Sequence, residues 1–127
     1  VSGSPLRWRF EHSYSRLSPA FFTRQQPALP RAPRVVMFND RLAADLGLTD
    51  GPVCREEVAA QLSGARLPEG AIPIAQAYAG HQFGHFAMLG DGRALLLGEH
   101  RTRDDRLFDV QFKGSGQTPY SRRGDGR

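Results

Sequence analysis

Seventeen basic side chains occur in the 127 residues, and sixteen of them are arginine; the one lysine is Lys113. Arg is a planar fork and Lys a compact point charge on a flexible stem. The Arg excess itself reflects coding bias more than function, but it makes the single lysine at position 113 worth attention. Lys113 closes the segment LFDVQFK (107–113) and opens onto Gly114-Ser115-Gly116, with Arg122, Arg123 and Gly124-Asp125-Gly126 close behind. Upstream, Gly90-Asp91-Gly92-Arg93 is a second Gly-x-Gly with a cation attached. Glycine lets backbone N–H groups approach an anion with no side chain in the way, and guanidinium forks add charge-assisted bonds. The chemistry these residues suit is the holding of phosphate oxygens. A plainer reading of the same residues is a hairpin turn, an edge lysine that blunts an exposed strand, and a solvated tail. The stretch is not a Walker A loop, because there the lysine follows the glycines and here it precedes them.

The elements that would position these groups are legible in part. His85–Leu89 reads as a strand, Gly90-Asp91-Gly92 as a tight type I′ turn whose central residues need positive φ, and Arg93–Glu99 as a second strand. His100–Arg106 (HRTRDDR) reads as a loop. Leu107–Lys113 alternates, with Val110 and Phe112 on one face and Asp109, Gln111 and Lys113 on the other. The expectation is a three-strand antiparallel meander followed by a glycine-rich loop. A glycine turn at one strand junction and a lysine ending the third strand follow the logic of a kinase-like N-lobe. Val110-Gln111-Phe112-Lys113 echoes the kinase V-A-I-K, although Leu95 stands where G-x-G-x-x-G has its third glycine.

Before the meander, Asn39 suits a helix N-cap, Leu42 and Leu46 share a face, and Gly47 suits the left-handed C′ position, which predicts a helix over 40–46. Glu56 and Glu57 favour the start of a second helix, with Val58, Ala59 and Leu62 inward and Gly64 at its end. Both helices are too short to stand alone. Residues 71–84 show no clear period. Residues 1–36 carry six Arg against Glu11 alone. Pro19, Pro27, Pro30 and Pro33 break any long helix there, so the segment reads as an arm packed through Trp8, Phe10, Tyr14, Phe21 and Phe22.

Other chemistries find little support. Cys54 is the single cysteine, which excludes an internal disulfide framework, and it reads as a small buried filler. His81 and His85 have the i,i+4 spacing of two metal ligands on a helix, but no third ligand accompanies them and Gly84 argues against helix. No apolar run approaches the ~20 residues of a membrane helix. A net charge of +4, spread along the chain with Asp104, Asp105 and Asp109 interleaved, is modest for a nucleic-acid binder.

Three long segments, YAGHQFG (78–84), LGDGRALLLGE (89–99) and QFKGSGQTPYSRRGDGR (111–127), resemble the selenoprotein O family of protein adenylyltransferases, once called pseudokinases. PAFFTRQQPALPRAPRVVMFNDRLAADLGL (19–48) and IPIAQAYAG (72–80) look like that family's N-terminal region, and the resemblance spans about residues 8–127. It departs at Met88, where the family usually has Gln. The resemblance implies an α+β chain forming the N-terminal part of a kinase-like fold, with residues 1–84 as an arm and helical extension and 85–127 as the first strands and glycine-rich loop of the N-lobe. It implies that the whole protein transfers AMP from ATP to Ser, Thr or Tyr hydroxyls of proteins with Mg2+ or Mn2+. Carried over by position, Gly90, Gly92 and Arg93 match the family's nucleotide-contacting turn, Lys113 its phosphate-contacting strand lysine, and Asp125 and Gly126 a further nucleotide-contacting pair.

The start at Val1 and the stop at Arg127 lead to the expectation of a truncated piece that is inactive by itself. On that reading the catalytic base and the metal ligands lie beyond Arg127, and none is assigned within 1–127. The rival is a non-catalytic nucleotide- or nucleic-acid-binding module. Expected partners are ATP and hydroxyl-bearing protein substrates, without nucleic acid or membrane. The expected location is the bacterial cytoplasm, or the mitochondrion in a eukaryote.

Overall fold

The computed structural model describes residues 5–82 and 84–127. Among the described residues, two short α-helices, two single 3-10 turns and six antiparallel strands form an α+β arrangement. Helix α1 covers Asp40–Asp45 and α2 covers Arg55–Ser63. The Asn39 side chain accepts from the Leu42 N–H at 2.9 Å and caps α1. Gly47, at φ +72°, turns the chain out of it. The helix stops one residue short of the expected end, with Leu46 as its cap. Gly64, at φ +85°, ends α2 in the same left-handed way.

The helices rest on a small core of Leu6, Ala43, Leu48 and Val58, flanked by Trp8, Val35, Phe38, Leu46 and Val53. Val58 and Ala59 point inward as expected, but Leu62 stays 40% exposed and the buried residue beside it is Gln61. Two polar contacts explain the exchange. Trp8 Nε1 donates to Gln61 Oε1 at 2.9 Å, and Gln61 Nε2 donates to Glu57 Oε1 at 3.0 Å. A satisfied amide is inexpensive to bury. The arm docks through stacked Trp8 and Phe10 and through Tyr14 and Phe22, whereas Phe21 remains half exposed.

The strands are β1 (Phe10–Glu11), β2 (Phe22–Arg24), β3 (Ile74–Gln82), β4 (His85–Gly90), β5 (Ala94–Arg101) and β6 (Leu107–Lys113). The stretch 71–84, without a clear period in the sequence, supplies β3, the longest strand. Its first residues pair with β2 and, at Ile74, with Leu96 of β5. Its remaining residues pair with β4, from Ala77–Gly90 to Gln82–His85. The sheet interior is Ile74, Ala75, Leu95, Leu96, Leu97 and Phe112, all buried.

This topology corrects the expected meander. Strand β4 pairs with β3, not with β5, and both β4 and β5 run antiparallel to β3. They therefore run in the same direction, and residues 91–93 carry the chain forward in a step. Between Ala77–Gly90 and Ile74–Leu96, β3 advances three residues while the opposing chain advances six. Asp91 and Gly92 lack the positive φ that a type I′ turn requires. The step holds because Asp91 N–H donates to the Gln76 carbonyl at 2.8 Å and the Asp91 carboxylate accepts from Gln76 N–H at 3.0 Å. A second correction concerns 100–106: β5 runs through Arg101, and His100 is almost wholly buried. The true turn begins at Thr102, whose N–H and Oγ1 bond Arg106, with Asp105 at φ +68°.

Candidate functional site

Strand β6 pairs with β5 along its whole length, with Ala94 opposite Lys113 and an extra residue, Leu97, bulged out of β5. The start of β5 and the end of β6 thus lie together at one end of the hairpin. There the Gly114 N–H donates to the Arg93 carbonyl at 2.7 Å. Lys113 thus faces Ala94 across the rung, and Arg93 sits one position further along, opposite Gly114; both cations are exposed. The opposite end of the hairpin is neutralised. Arg101 is paired with Glu11 and Asp105, Arg103 with Asp50, and Arg106 with Asp104. Among the described residues, Arg93, Lys113, Arg122, Arg123 and Arg127 have no such acidic partner. This end of the hairpin thus carries cations without acidic partners next to the glycines, a local arrangement suited to an anion.

The segment 114–127 is folded, not splayed. Its first and last parts lie against each other. Gly116 N–H meets the Gly126 carbonyl at 3.4 Å, Gln117 Nε2 donates to the Gly124 carbonyl at 2.8 Å, and Asp125 Oδ1 accepts from Arg127 N–H at 3.0 Å. Gly126 is buried at φ +77°, and a side chain there would collide with the Gly116 carbonyl. Asp125 itself is exposed. The middle of the segment, Thr118–Ser121, lies over residues 90–92. Beside Gly114 and Ser115 opens a cleft of about 460 Å3 that Arg31 and Arg127 also line. Ser115 Oγ is buried without a hydrogen-bond partner.

Of the sequence-derived residues, Arg93 and Lys113 are brought to the same end of the β5–β6 hairpin, linked through the Gly114 N–H and the Arg93 carbonyl. Gly126 and Asp125 join them through the 114–117 contact, since Gly114 follows Lys113 directly. Gly90 and Gly92 belong to the step between β4 and β5. Thr118, Tyr120 and Ser121 have no chemistry that spacing alone reveals; three hydroxyl-bearing residues among four are the local signal. Asp91, between the two glycines, gains its role only from the fold. It is half-buried, and burial pushes its carboxyl above the ordinary aspartate range, with the Gln76 N–H pulling less strongly the other way. His81 and His85 lie on β3 and β4, not on a helix; their side chains fall outside the described residues. Cys54 is buried, 3.5 Å from Glu56 Oε2. Among the described residues no three His, Cys, Asp or Glu side chains converge as a metal site. No helix among them is long and apolar enough to cross a membrane.

A family model described as "Protein adenylyltransferase SelO" matches residues 5–127. The chain is 59% identical over 120 residues to a "Protein nucleotidyltransferase YdiU" of Bacillus cytotoxicus, covering 94% of the chain and 24% of that relative. It is 58% identical over 120 residues to the one of Brevibacillus brevis, with the same coverages. With that of Nitrosococcus oceani it shares 56% over 122 residues, 96% of the chain and 25% of the relative. The chain spans about a quarter of the length of these relatives.

Proposed function

Because the chain belongs to the SelO family of protein adenylyltransferases, we propose that it is the nucleotide-holding N-terminal part of an enzyme that transfers AMP from ATP to Ser, Thr or Tyr hydroxyls of proteins. The observation that carries this reading is the bond from the Gly114 N–H to the Arg93 carbonyl, which joins the backbone of Arg93 to the residue that follows Lys113, at the end of the β5–β6 hairpin whose cations lack acidic partners among the described residues. In this reading Lys113 neutralises phosphate charge as a compact cation. Arg93 adds a guanidinium fork on the neighbouring rung. Gly90 and Gly92 shape the backbone around the nucleotide, and the Asp125-Gly126 segment borders it from the other side. Charge developing on the phosphate in the transition state is best stabilised by cations already in place.

The strands of 85–127, with those contributed by 1–84, form in this proposal the opening of a kinase-like N-lobe. A divalent ion, Mg2+ or Mn2+, would neutralise the polyphosphate. Its ligands and the catalytic base are assigned to the part of the longer relatives that this chain does not span, so the 127 residues alone are expected to be inactive. The bacterial relatives fit a cytoplasmic enzyme.

The test is labelled ATP with the full-length parent and a protein acceptor. Incorporation of label from the α-phosphate, and not from the γ-phosphate, is expected. Lys113→Ala should lower transfer by about a hundredfold or more, as removal of one preorganised charge does elsewhere. Lys113→Arg should restore little of it. Undiminished transfer by Lys113→Ala would remove this lysine from the mechanism.

A further inference from the structure

Thr118, Tyr120 and Ser121 form a strap across the 90–92 step. The Thr118 hydroxyl donates to the Asp91 carbonyl, and the Ser121 hydroxyl donates to the Gly92 carbonyl at 2.6 Å. The Tyr120 ring lies on the α-carbon of Gly90, and its phenol is 3.0 Å from Thr23 Oγ1 on β2. The strap is braced internally: Thr118 N–H donates to Ser121 Oγ at 2.8 Å, and Ser121 N–H to the Thr118 carbonyl at 3.1 Å.

This arrangement changes what the two glycines are for. A methyl on Gly90 would come within 2.7 Å of both Cδ carbons of Tyr120, and one on Gly92 would lie 2.9 Å from the Tyr120 carbonyl oxygen. Neither residue has a positive φ. The space beside each α-carbon is already filled by the chain's own strap. The strap also takes up the carbonyl oxygens of Asp91 and Gly92. Those are the negative ends of the local peptide dipoles, and satisfying them from the strap side leaves a segment better matched to an anion. The next residue is Arg93, whose own carbonyl binds the Gly114 N–H beside Lys113.

We propose that Thr118, Tyr120 and Ser121 are positioning residues for the nucleotide: they clamp the 90–92 backbone and so fix Arg93, whose carbonyl holds the Gly114 N–H next to Lys113. The proposal rests on the AMP-transfer reading above. The strap belongs to the same folded segment as Asp125 and Gly126, so it ties the two nucleotide-contacting stretches into one unit.

The experiment uses the full-length parent and measures KM for ATP, kcat and thermal midpoint for Ser121→Ala, Tyr120→Ala, Tyr120→Phe, Gly90→Ala and the Gly90→Ala/Tyr120→Ala double variant. Ser121→Ala and Tyr120→Ala are expected to raise KM for ATP about tenfold while kcat moves less than about threefold, the signature of lost nucleotide positioning. Tyr120→Phe keeps the ring and should recover most of the Tyr120→Ala loss. Gly90→Ala should impair KM alone yet add nothing to Tyr120→Ala, because removing the ring removes the clash. If Tyr120→Ala does not fold, Ser121→Ala and Tyr120→Phe decide the matter. A parent that transfers AMP through Lys113 while Ser121→Ala and Tyr120→Ala keep the wild-type KM overturns the strap's role and leaves the AMP-transfer reading standing. So does a loss of kcat that merely follows the thermal midpoint, or a double variant worse than either single one. Absence of AMP transfer in the parent removes both.

Discussion

His100 Nε2 lies 2.7 Å from the Leu46 carbonyl oxygen, joining the middle of the sheet to the end of α1. Its other nitrogen, Nδ1, receives the Arg9 N–H at 3.1 Å. A backbone N–H only donates, so Nδ1 is the acceptor and the ring hydrogen sits on Nε2. One side chain thus binds β5, the arm and the first helix, and it is only 1% exposed. His100→Ala leaves the Leu46 carbonyl and the Arg9 N–H, both in part-buried bonds, without their partner and opens a cavity. The expected loss is about 3 kcal/mol in urea unfolding. Nitrogen NMR of the ring should show the Nε2–H form, and the opposite tautomer would contradict this geometry.

Asp91 sets a pH signature. Burial holds its carboxyl above the ordinary range, so the folded state keeps its proton at pH values where the unfolded chain, near about 3.9, has lost it. Between those two values the folded state binds more protons, and stability from this group falls as pH rises. Asp91→Asn retains an acceptor for the Gln76 N–H and removes the charge. Its stability relative to the parent chain is expected to improve from about pH 3.5 toward neutrality. A difference that stays flat across that range would show that the carboxyl is not held up by burial.

The acid limb comes from other groups and has the opposite sign. The Arg101 guanidinium beside Glu11 holds that carboxyl low, and Arg103, with Arg7, does the same for Asp50. Asp104 is lowered chiefly by the Thr102 hydroxyl and then by Arg106. Each contributes stability that is lost as pH falls through its depressed value. These pairs are exposed, so at ~1 M salt, where the screening length is about 3 Å, their share of the acid limb should shrink. Urea midpoints at low and high salt around pH 3 check this.

Gly64 and Gly51 make a matched pair of tests. Gly64 has φ +85°, and a methyl on it would sit 2.7 Å from Pro27 Cγ, while a methyl on Gly51 meets nothing within 4 Å. Gly64→Ala is expected to cost about 2 kcal/mol or more, combining left-handed strain with the clash. Gly51→Ala should stay within about 0.5 kcal/mol of the parent. Thermal unfolding distinguishes them, and equal effects would refute the assignment of Gly64 as the α2 terminator.

Asn39→Ala should cost about 1 kcal/mol, the usual worth of a side-chain cap. Asn39→Ser should restore most of it, because the hydroxyl can also accept from the exposed N–H groups of the first turn.

Much of this architecture is written locally. The Asn39 cap, the glycines after both helices, the alternation of 107–113 and the lone Lys113 are decided within a few residues, and the sequence determined them unaided, along with the family resemblance. What it left open depends on partners far along the chain. Strand β3 lacks a clear apolar rhythm because it serves β2, β4 and β5 at once. The Gly90-Asp91-Gly92 stretch looks like a hairpin turn by composition, yet Gln76 holds it open as a step and Tyr120 covers it, 28 to 30 residues downstream. His100 reads as polar loop until its two partners, Arg9 and Leu46, arrive from the arm and the first helix. Local chemistry chose the elements. The pairing of strands and the cover over the glycines were settled only by non-local hydrogen bonds and packing, which no window of adjacent residues contains.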